Sequence, residues 1–402
     1  MTRNGLLKNK LRIGVMGLGT VGQAVVKLLQ DNAALYERRT GCFLELVGVS
    51  ARNKNRARLV DVAAYQWFDD PCAMVSEVDM VIEVAGGLEP AGRLAQATLA
   101  AGKHWVSANK ALLAENGRDL VALSQKTGAY MGFEAAVCTA IPVVKTLREG
   151  MSANRVDSVQ GIFNGTCNYI AAQMAAGLDF NTALQDATEK GYAEADPTLD
   201  IGGGDAAHKT TLMAALVAGG MANFTEVHIE GIDQLPEGIS TCLAKQGYAL
   251  KLLGQCRPQG SEGWAVWVYP AAVPEHHPLA RIDGVTNAVA YHGDAAGSGM
   301  LQGVGAGGLA TASAVMADVL DIAAGRGAIA GGLSAEPLPV LAIQQRIGDY
   351  LVIGAEEGPA WQDHETETLS GMILVRNIRE SALRQILDNL KHDYWIRLEG
   401  SE

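Results

Sequence analysis

A short apolar run, Leu11 to Met16, leads straight into Gly17-Leu18-Gly19-Thr20-Val21-Gly22. A stretch with helical spacing follows, with Val21, Val25, Leu28 and Leu29 on one side. Few architectures accommodate a strand, a G-x-G-x-x-G turn and a helix in that order. The first glycine permits a tight turn, the second lets a pyrophosphate approach the backbone, and the third lets helix and strand pack closely. Phosphate then lies on the free N–H groups of the helix N-terminus. The sequence therefore predicts a dinucleotide site formed by Gly17, Leu18, Gly19, Thr20, Val21 and Gly22.

The next segments extend the pattern. Residues 44–49 and 79–84 read as strands, 89–101 as a helix and 105–107 as a further strand. Strands alternating with helices predict a doubly wound, Rossmann-type parallel sheet over residues 1–144, completed by a helix at 310–325. From about residue 145 the texture changes. Residues 180–190 read as a helix, and the alternating runs 228–233 and 264–273 read as strands of a mixed sheet. These predict a second α/β domain over 145–309. A Gly/Ala/Pro-rich stretch, 325–339, reads as a linker. A small unit, 340–402, then has strand, helix and strand signals.

Composition removes some functional classes. Lys+Arg 32 against Asp+Glu 44 gives a net charge of −12, which disfavours a nucleic-acid partner. The N-terminus is basic, but the apolar run after it is the first strand, and no uncharged run is long enough to span a membrane. The six cysteines are scattered, without CxxC pairs, so neither a disulfide framework nor a zinc site is expected and a reducing cytoplasm fits.

Cofactor choice is read after the second strand. An enzyme using NAD usually has an acid there for the ribose hydroxyls. This chain has Ser50-Ala51-Arg52-Asn53-Lys54, and the guanidinium of Arg52 suits a 2′-phosphate, so NADP(H) is expected over NAD(H). A second constellation is Gly191-Tyr192-Ala193-Glu194-Ala195-Asp196-Pro197, running through Asp200 into Asp205-Ala206-Ala207-His208-Lys209. Asp205 and Lys209 are four apart and share a helix face. A lysine so held can exchange the proton that accompanies hydride transfer, although such a spacing also describes an ordinary surface ion pair.

Together with Ile82-Glu83-Val84-Ala85-Gly86-Gly87, Ala108-Asn109-Lys110, Gly161-Ile162-Phe163-Asn164-Gly165-Thr166, and Gly305-Ala306-Gly307 before Thr311-Ala312, these motifs resemble homoserine dehydrogenase from residue 11 to about 325. The resemblance implies NAD(P)-dependent interconversion of L-homoserine and L-aspartate 4-semialdehyde, on the route to threonine, methionine and isoleucine. It implies Lys209 as proton donor, Asp205 as its substrate-binding partner, and Lys110 between cofactor and substrate. Glu194 would meet the substrate ammonium, with Asp200, Tyr192 and Thr166 in the same pocket. Gly86, Gly191 and Gly307 would contact the cofactor. It also implies a small-molecule substrate and a homodimer or higher homo-oligomer. A lysine donor suits the chemistry if burial and a second lysine tune its acidity.

Three departures from the family stand out. In Glu134-Ala135-Ala136-Val137-Cys138-Thr139-Ala140-Ile141-Pro142, Cys138, Thr139 and Ala140 replace glycine or alanine. The resemblance places a monovalent cation (Na or K) on the Glu134 carboxylate and the carbonyls of Val137, Thr139 and Ile141. Added Cβ atoms disfavour positive φ, so a reshaped turn is expected. Val304 and Ala310 stand where proline is frequent. The C-terminal unit resembles a βαββαβ ACT module without its first helix, and is expected to be shortened and to serve packing or dimer contact. Two other functions remain open on the residues: an NADP-dependent oxidoreductase of a related amino alcohol, and a cofactor-binding regulatory protein without turnover.

Overall fold

The computed structural model describes residues 9–260 and 262–400, so the basic N-terminal segment lies outside them. The chain forms two compact units. The first takes residues up to Ala153 with Leu212–Met221 and Ala306–Leu338, and the second takes Asn154–Thr211, Ala222–Gly305 and residues from Pro339 on.

The first unit is built on six strands: β1 (Lys10–Met16), β2 (Phe43–Ser50), β3 (Gln66–Trp67), β4 (Met80–Glu83), β5 (His104–Ser107) and β6 (Met131–Gly132). All pair in parallel, in the order β3-β2-β1-β4-β5-β6. Four helices connect them: α1 (Thr20–Asp31), α2 (Ala33–Thr40), α3 (Ala91–Ala100) and α4 (Lys110–Thr127). Covered on both faces, the central strands bury apolar residues on both sides, as Ile13, Val15, Met80 and Ile82 illustrate. The helix Gly308–Ala323 packs on α1, with Ala312, Val315 and Val319 in one cluster with Val25, Val26 and Leu29. The doubly wound sheet is therefore as read, with each boundary within three residues.

The stretch 325–339 is not the loose linker its composition suggests. Pro337–Leu338 pairs with Met221–Ala222 as a two-stranded ribbon, and Leu333 is buried. Arg118 and Gln125 of α4 donate to the carbonyls of Ala335 and Leu333, and Arg148 donates to that of Gly331. Small residues permit this close backbone packing, which composition alone cannot distinguish from flexibility.

The second unit is a ten-stranded mixed sheet. Its longer strands are β7 (Val156–Ile162), β8 (Tyr248–Pro258), β9 (Trp264–Pro274), β10 (Thr286–Gly293) and β11 (Gly297–Val304), then β12 (Ile347–Ile353), β13 (Thr366–Leu369), β14 (Met372–Arg379) and β15 (Tyr394–Leu398). They lie in the order β11-β10-β7-β8-β9-β15-β12-β14-β13, and of the run expected at 228–233 only His228–Ile229 is a strand, pairing with β9. Three helices carry or flank the site: α5 (Gly165–Ala175), α6 (Phe180–Glu189) and α7 (Gly204–Ala218).

Residues 340–402, set apart as a unit by the sequence, continue this sheet through a parallel pairing of β9 with β15. Their own strands run fourth, first, third, second, all antiparallel, with one helix, Glu380–Leu387. That is the order of a split βαβ module whose first helix is missing. Buried charges pin the junction. Arg397 donates two bonds to Glu380, at 2.8 and 3.0 Å, and a third to Glu230 at 2.7 Å. Arg346 donates to Glu399, which also accepts from the Tyr269 hydroxyl. Burial works against the Glu230 carboxylate, but the His228 ring and Arg397 outweigh it and hold the group at about 2.

Arg397→Met is expected to destabilise the chain by about 3–5 kcal/mol, because it leaves the fully buried Glu380 without its bidentate partner. Chemical denaturation followed by circular dichroism checks this; a loss below about 1 kcal/mol would contradict it.

Candidate active site

In the first unit the glycine turn has the required geometry. Gly17 has φ +100, and a Cβ there would come within 2.7 Å of the backbone of Val84 and Ala85. A Cβ on Gly22 would lie 1.8 Å from the Gly17 carbonyl oxygen, so only glycine lets α1 sit this close to the turn. Gly19 is different, with nothing within 4 Å of where its Cβ would be. It caps α1 without any side-chain hydrogen bond. The first turn of α1 therefore presents its N–H groups beside open space, which suits a pyrophosphate. Leu18 is buried, Thr20 exposed and Val21 half-buried.

Around this turn a buried carboxylate missed by sequence reasoning organises two loops. Glu83 ends β4 and is fully buried. Its Oε1 accepts from the backbone N–H groups of Ala85 and Gly86, at 2.9 and 3.1 Å, and its Oε2 accepts from the Ser107 hydroxyl at 2.7 Å. The Ser107 oxygen in turn accepts from Asn109 N. Asn109 then donates to Gly87 O and caps α4 through Leu112 N, which fixes where Lys110, the first and half-buried residue of α4, begins. Gly86 itself has φ +74. Arg52 is exposed just after β2, while Ser50 is buried. Gly307, φ +127, caps the helix Gly308–Ala323.

The turn after β6 keeps a left-handed path despite its side chains: Cys138 has φ 53 and Thr139 has φ 49. The expected reshaping does not remove the positive angles; two Cβ-bearing residues adopt them, at about 1–2 kcal/mol each. Glu134 is buried, its oxygens accepting from Val144 N and Lys145 N at 2.8 and 3.0 Å. Burial and the neighbouring Asp318 push its carboxyl up to about 7, and burial pushes Asp318 to about 6. Holding two negative charges this close and this deeply is disfavoured, and burial above all raises both carboxyls. Among the described residues no cluster of three or more His, Cys, Asp or Glu side chains is arranged for a metal ion.

The second unit gathers most of the predicted substrate residues. Lys209 and Asp205 lie one turn apart on α7, both buried, with Nζ donating to Asp205 Oδ2 at 2.8 Å. Lys209 Nζ also donates to the carbonyl of Phe163 at 2.6 Å. That carbonyl accepts a second bond from Asn287 at 3.0 Å. Asp200 joins the group through Asn164. Thr166, expected to face substrate, donates its hydroxyl to Tyr192 O at 2.7 Å and so ties α5 to the loop after α6. The Tyr192 ring meets Tyr169 edge-on. Gly191, φ +73, and Glu194 are exposed on the same loop, and Glu194 stands outside the hydrogen-bonded cluster. Cys167 is buried beneath, its thiol pushed well above the ordinary value by burial and by Asp200, which suits packing rather than reactivity. No disulfide joins any of the six cysteines, all of which are described residues.

Comparison with known proteins places the chain in a family. A family model described as homoserine dehydrogenase, NAD binding domain, matches residues 17–134, and one described as homoserine dehydrogenase matches 142–320. A homoserine dehydrogenase of Neisseria gonorrhoeae is 42% identical over 316 residues, covering 78% of this chain and 72% of its own length. One from Pseudomonas aeruginosa is 40% identical over 317 residues, with the same coverage. The chain belongs to the homoserine dehydrogenase family. A solved homoserine dehydrogenase from Thiobacillus denitrificans superposes with a TM-score of 0.89 at 33% identity, over 97% of this chain and 98% of that one. One from S. aureus gives 0.80 at 26% identity, over 97% and 99%. Members of the homoserine dehydrogenase family are nicotinamide-dependent oxidoreductases. The other two readings, an amino-alcohol oxidoreductase and a regulator without turnover, gain no support from these relatives.

Proposed function

We propose that this chain interconverts L-homoserine and L-aspartate 4-semialdehyde with NADP(H), using Lys209 as the proton donor. The observation that carries the reading is the Lys209 ammonium, buried and held by Asp205 and the Phe163 carbonyl. A nicotinamide cofactor, when bound, supplies or accepts the hydride. In the reducing direction the aldehyde oxygen gains negative charge as hydride reaches carbon, and a cationic donor stabilises that charge. Lys209 Nζ gives its proton to this oxygen, yielding the alcohol, and is reprotonated from solvent. Asp205 holds Nζ on α7 and offers a carboxylate to the substrate. Lys110, fixed by the Asn109 cap, takes the family's place beside the reacting groups. Glu194, exposed on its loop, is assigned to the substrate ammonium, with Asp200, Thr166 and Tyr192 completing the pocket. Gly17 to Gly22, Gly86, Gly191 and Gly307 are assigned to the cofactor.

The absence of an acid after β2 and the exposed Arg52 support NADP(H) over NAD(H). The buried pair Glu134 and Asp318, and the left-handed turn that follows, support a monovalent cation held by the Glu134 carboxylate and the carbonyls of Val137, Thr139 and Ile141. Family likeness carries a homodimeric or higher assembly and a cytoplasmic setting. Among the described residues no helix is long and apolar enough to cross a membrane.

Lys209→Ala is expected to bind NADPH as tightly as wild type and to lose about 10²–10⁴-fold in kcat for semialdehyde reduction. NADPH absorbance reads the rate, and turnover near wild type would remove Lys209 from the donor role. Arg52→Ala is expected to raise the KM for NADPH by about tenfold or more and leave that for NADH unchanged, since a charged hydrogen bond contributes about 1.5–3 kcal/mol. Equal changes for both cofactors would contradict this. Sodium or potassium is expected to raise the melting temperature of wild type above that in choline at equal ionic strength, and to have no such effect in Glu134→Gln. Indistinguishable melting curves in the three salts would count against the cation site.

A further inference from the structure

The dipeptide Phe163-Asn164, at the end of β7, bonds to all three charged groups of the substrate cluster. The Phe163 carbonyl accepts from Lys209 Nζ. The Asn164 side chain is 5% exposed, and its two amide protons go to different carboxylates: Asp200 Oδ1 at 2.7 Å and Asp205 Oδ2 at 2.8 Å. Its Oδ1 accepts from Cys167 N at 2.9 Å and so caps α5. Asp205 Oδ2 therefore receives both the Asn164 amide and the Lys209 ammonium.

Two carboxylates drawn to one small region repel each other, and each is retained as an anion only where donors face it. Lysine supplies a donor to Asp205; the Asn164 amide supplies one to each acid. The amide is planar and its oxygen is fixed by the helix cap, so the directions of its two N–H bonds are set before any substrate arrives. Close packing holds the dipeptide as well. A Cβ on Gly161 would lie 2.3 Å from the Ala288 carbonyl, and one on Gly165 would lie 2.4 Å from that of Val285. The end of β7 has no room to drift relative to the neighbouring strand and loop.

We propose that Asn164 is a positioning residue for the reaction: its amide orients Asp200 and Asp205 together, and through Asp205 it aims the Lys209 ammonium. The proposal rests on the functional reading above. Because the same side chain caps α5, a structural role has to be separated from a positioning one. Serine at this position retains a capping oxygen and lacks the amide donors. Aspartate also caps, but puts a third carboxylate where the donors were.

Steady-state reduction of L-aspartate 4-semialdehyde by the full chain, across pH, tests it. Asn164→Ser is expected to melt within a few degrees of wild type and to bind NADPH with unchanged affinity. Its kcat should fall by about 10–100-fold, the range that a small misplacement of reacting groups produces. The pH profile of kcat should move, because Asp200 and Asp205 have lost a shared donor and Asp205 is the partner of Lys209. Asn164→Asp should be slower still, with its fold intact. A folded Asn164→Ser within threefold of wild type, with a superimposable pH profile, would overturn the proposal and leave Asn164 a helix cap. Absence of wild-type turnover on the semialdehyde would instead overturn the functional reading, and the proposal with it.

Discussion

A lysine ammonium taken out of water has to find its partners inside the protein, and Lys209 is both buried and charged in its role. Much of the second unit's arrangement around the site follows from that demand. Asp205 meets it from one turn away on α7, a local solution that needs only helical periodicity. The Phe163 carbonyl meets it from 46 residues away, which requires β7 to end where α7 begins its second turn. A strand-end carbonyl is available because no further ladder partner follows Ile162, and Asn287 shares it. The site is thus the meeting point of a strand end, a helix start and a loop, and both hydrogen-bond geometry and close packing limit the substitutions tolerated there.

The first unit answers a similar problem with the charges reversed. Glu83 is a buried carboxylate, and only N–H and O–H groups surround it. Backbone amides from residues 85 and 86 turn the chain after β4, while Ser107 carries the same constraint to the start of α4. One acid therefore positions both the loop lying against Gly17 and the helix that begins with Lys110. Removing its negative charge would alter neither helix propensity nor core volume, yet both loops would lose their common anchor.

This contrast explains what the sequence disclosed. The glycine turn was legible because each glycine answers a local requirement: a positive φ at Gly17, close packing at Gly22. Asp205 and Lys209 were legible as a pair because four residues make one helical turn. Asn164 and Glu83 were not, since each joins local backbone partners to side chains 24 to 41 residues away that no periodicity connects. The only local trace was Glu83 ending an otherwise apolar strand, and Asn164 standing where a helix cap is expected. Cys138 and Thr139 show the opposite failure. Their side chains argue against left-handed angles, but Cys138 is wholly buried and Thr139 nearly so, and packing on both sides outweighs a local preference of about 1–2 kcal/mol.

The C-terminal segment extends the argument from single residues to a whole element. Strand alternation sends Tyr350 and Val352 of β12 to one face and Leu351 to the other. A four-stranded sheet with two apolar faces needs cover on both. Its own helix gives part of the first face, through Leu383 and Leu387, and the missing helix is replaced there by the short turn Pro359–Trp361, whose indole is buried beside Val352 and Ile373. The second face packs on Ala171 of α5 and on Ile239 and Leu243 of the helix Ile239–Lys245. The inner edge pairs with β9 and carries the Arg397 and Glu230 contact. With both faces and one edge committed, the element cannot be detached without exposing apolar surface on α5, the helix that Asn164 caps. Its energetic role is therefore continuous with the site, whatever ancestry its strand order reflects.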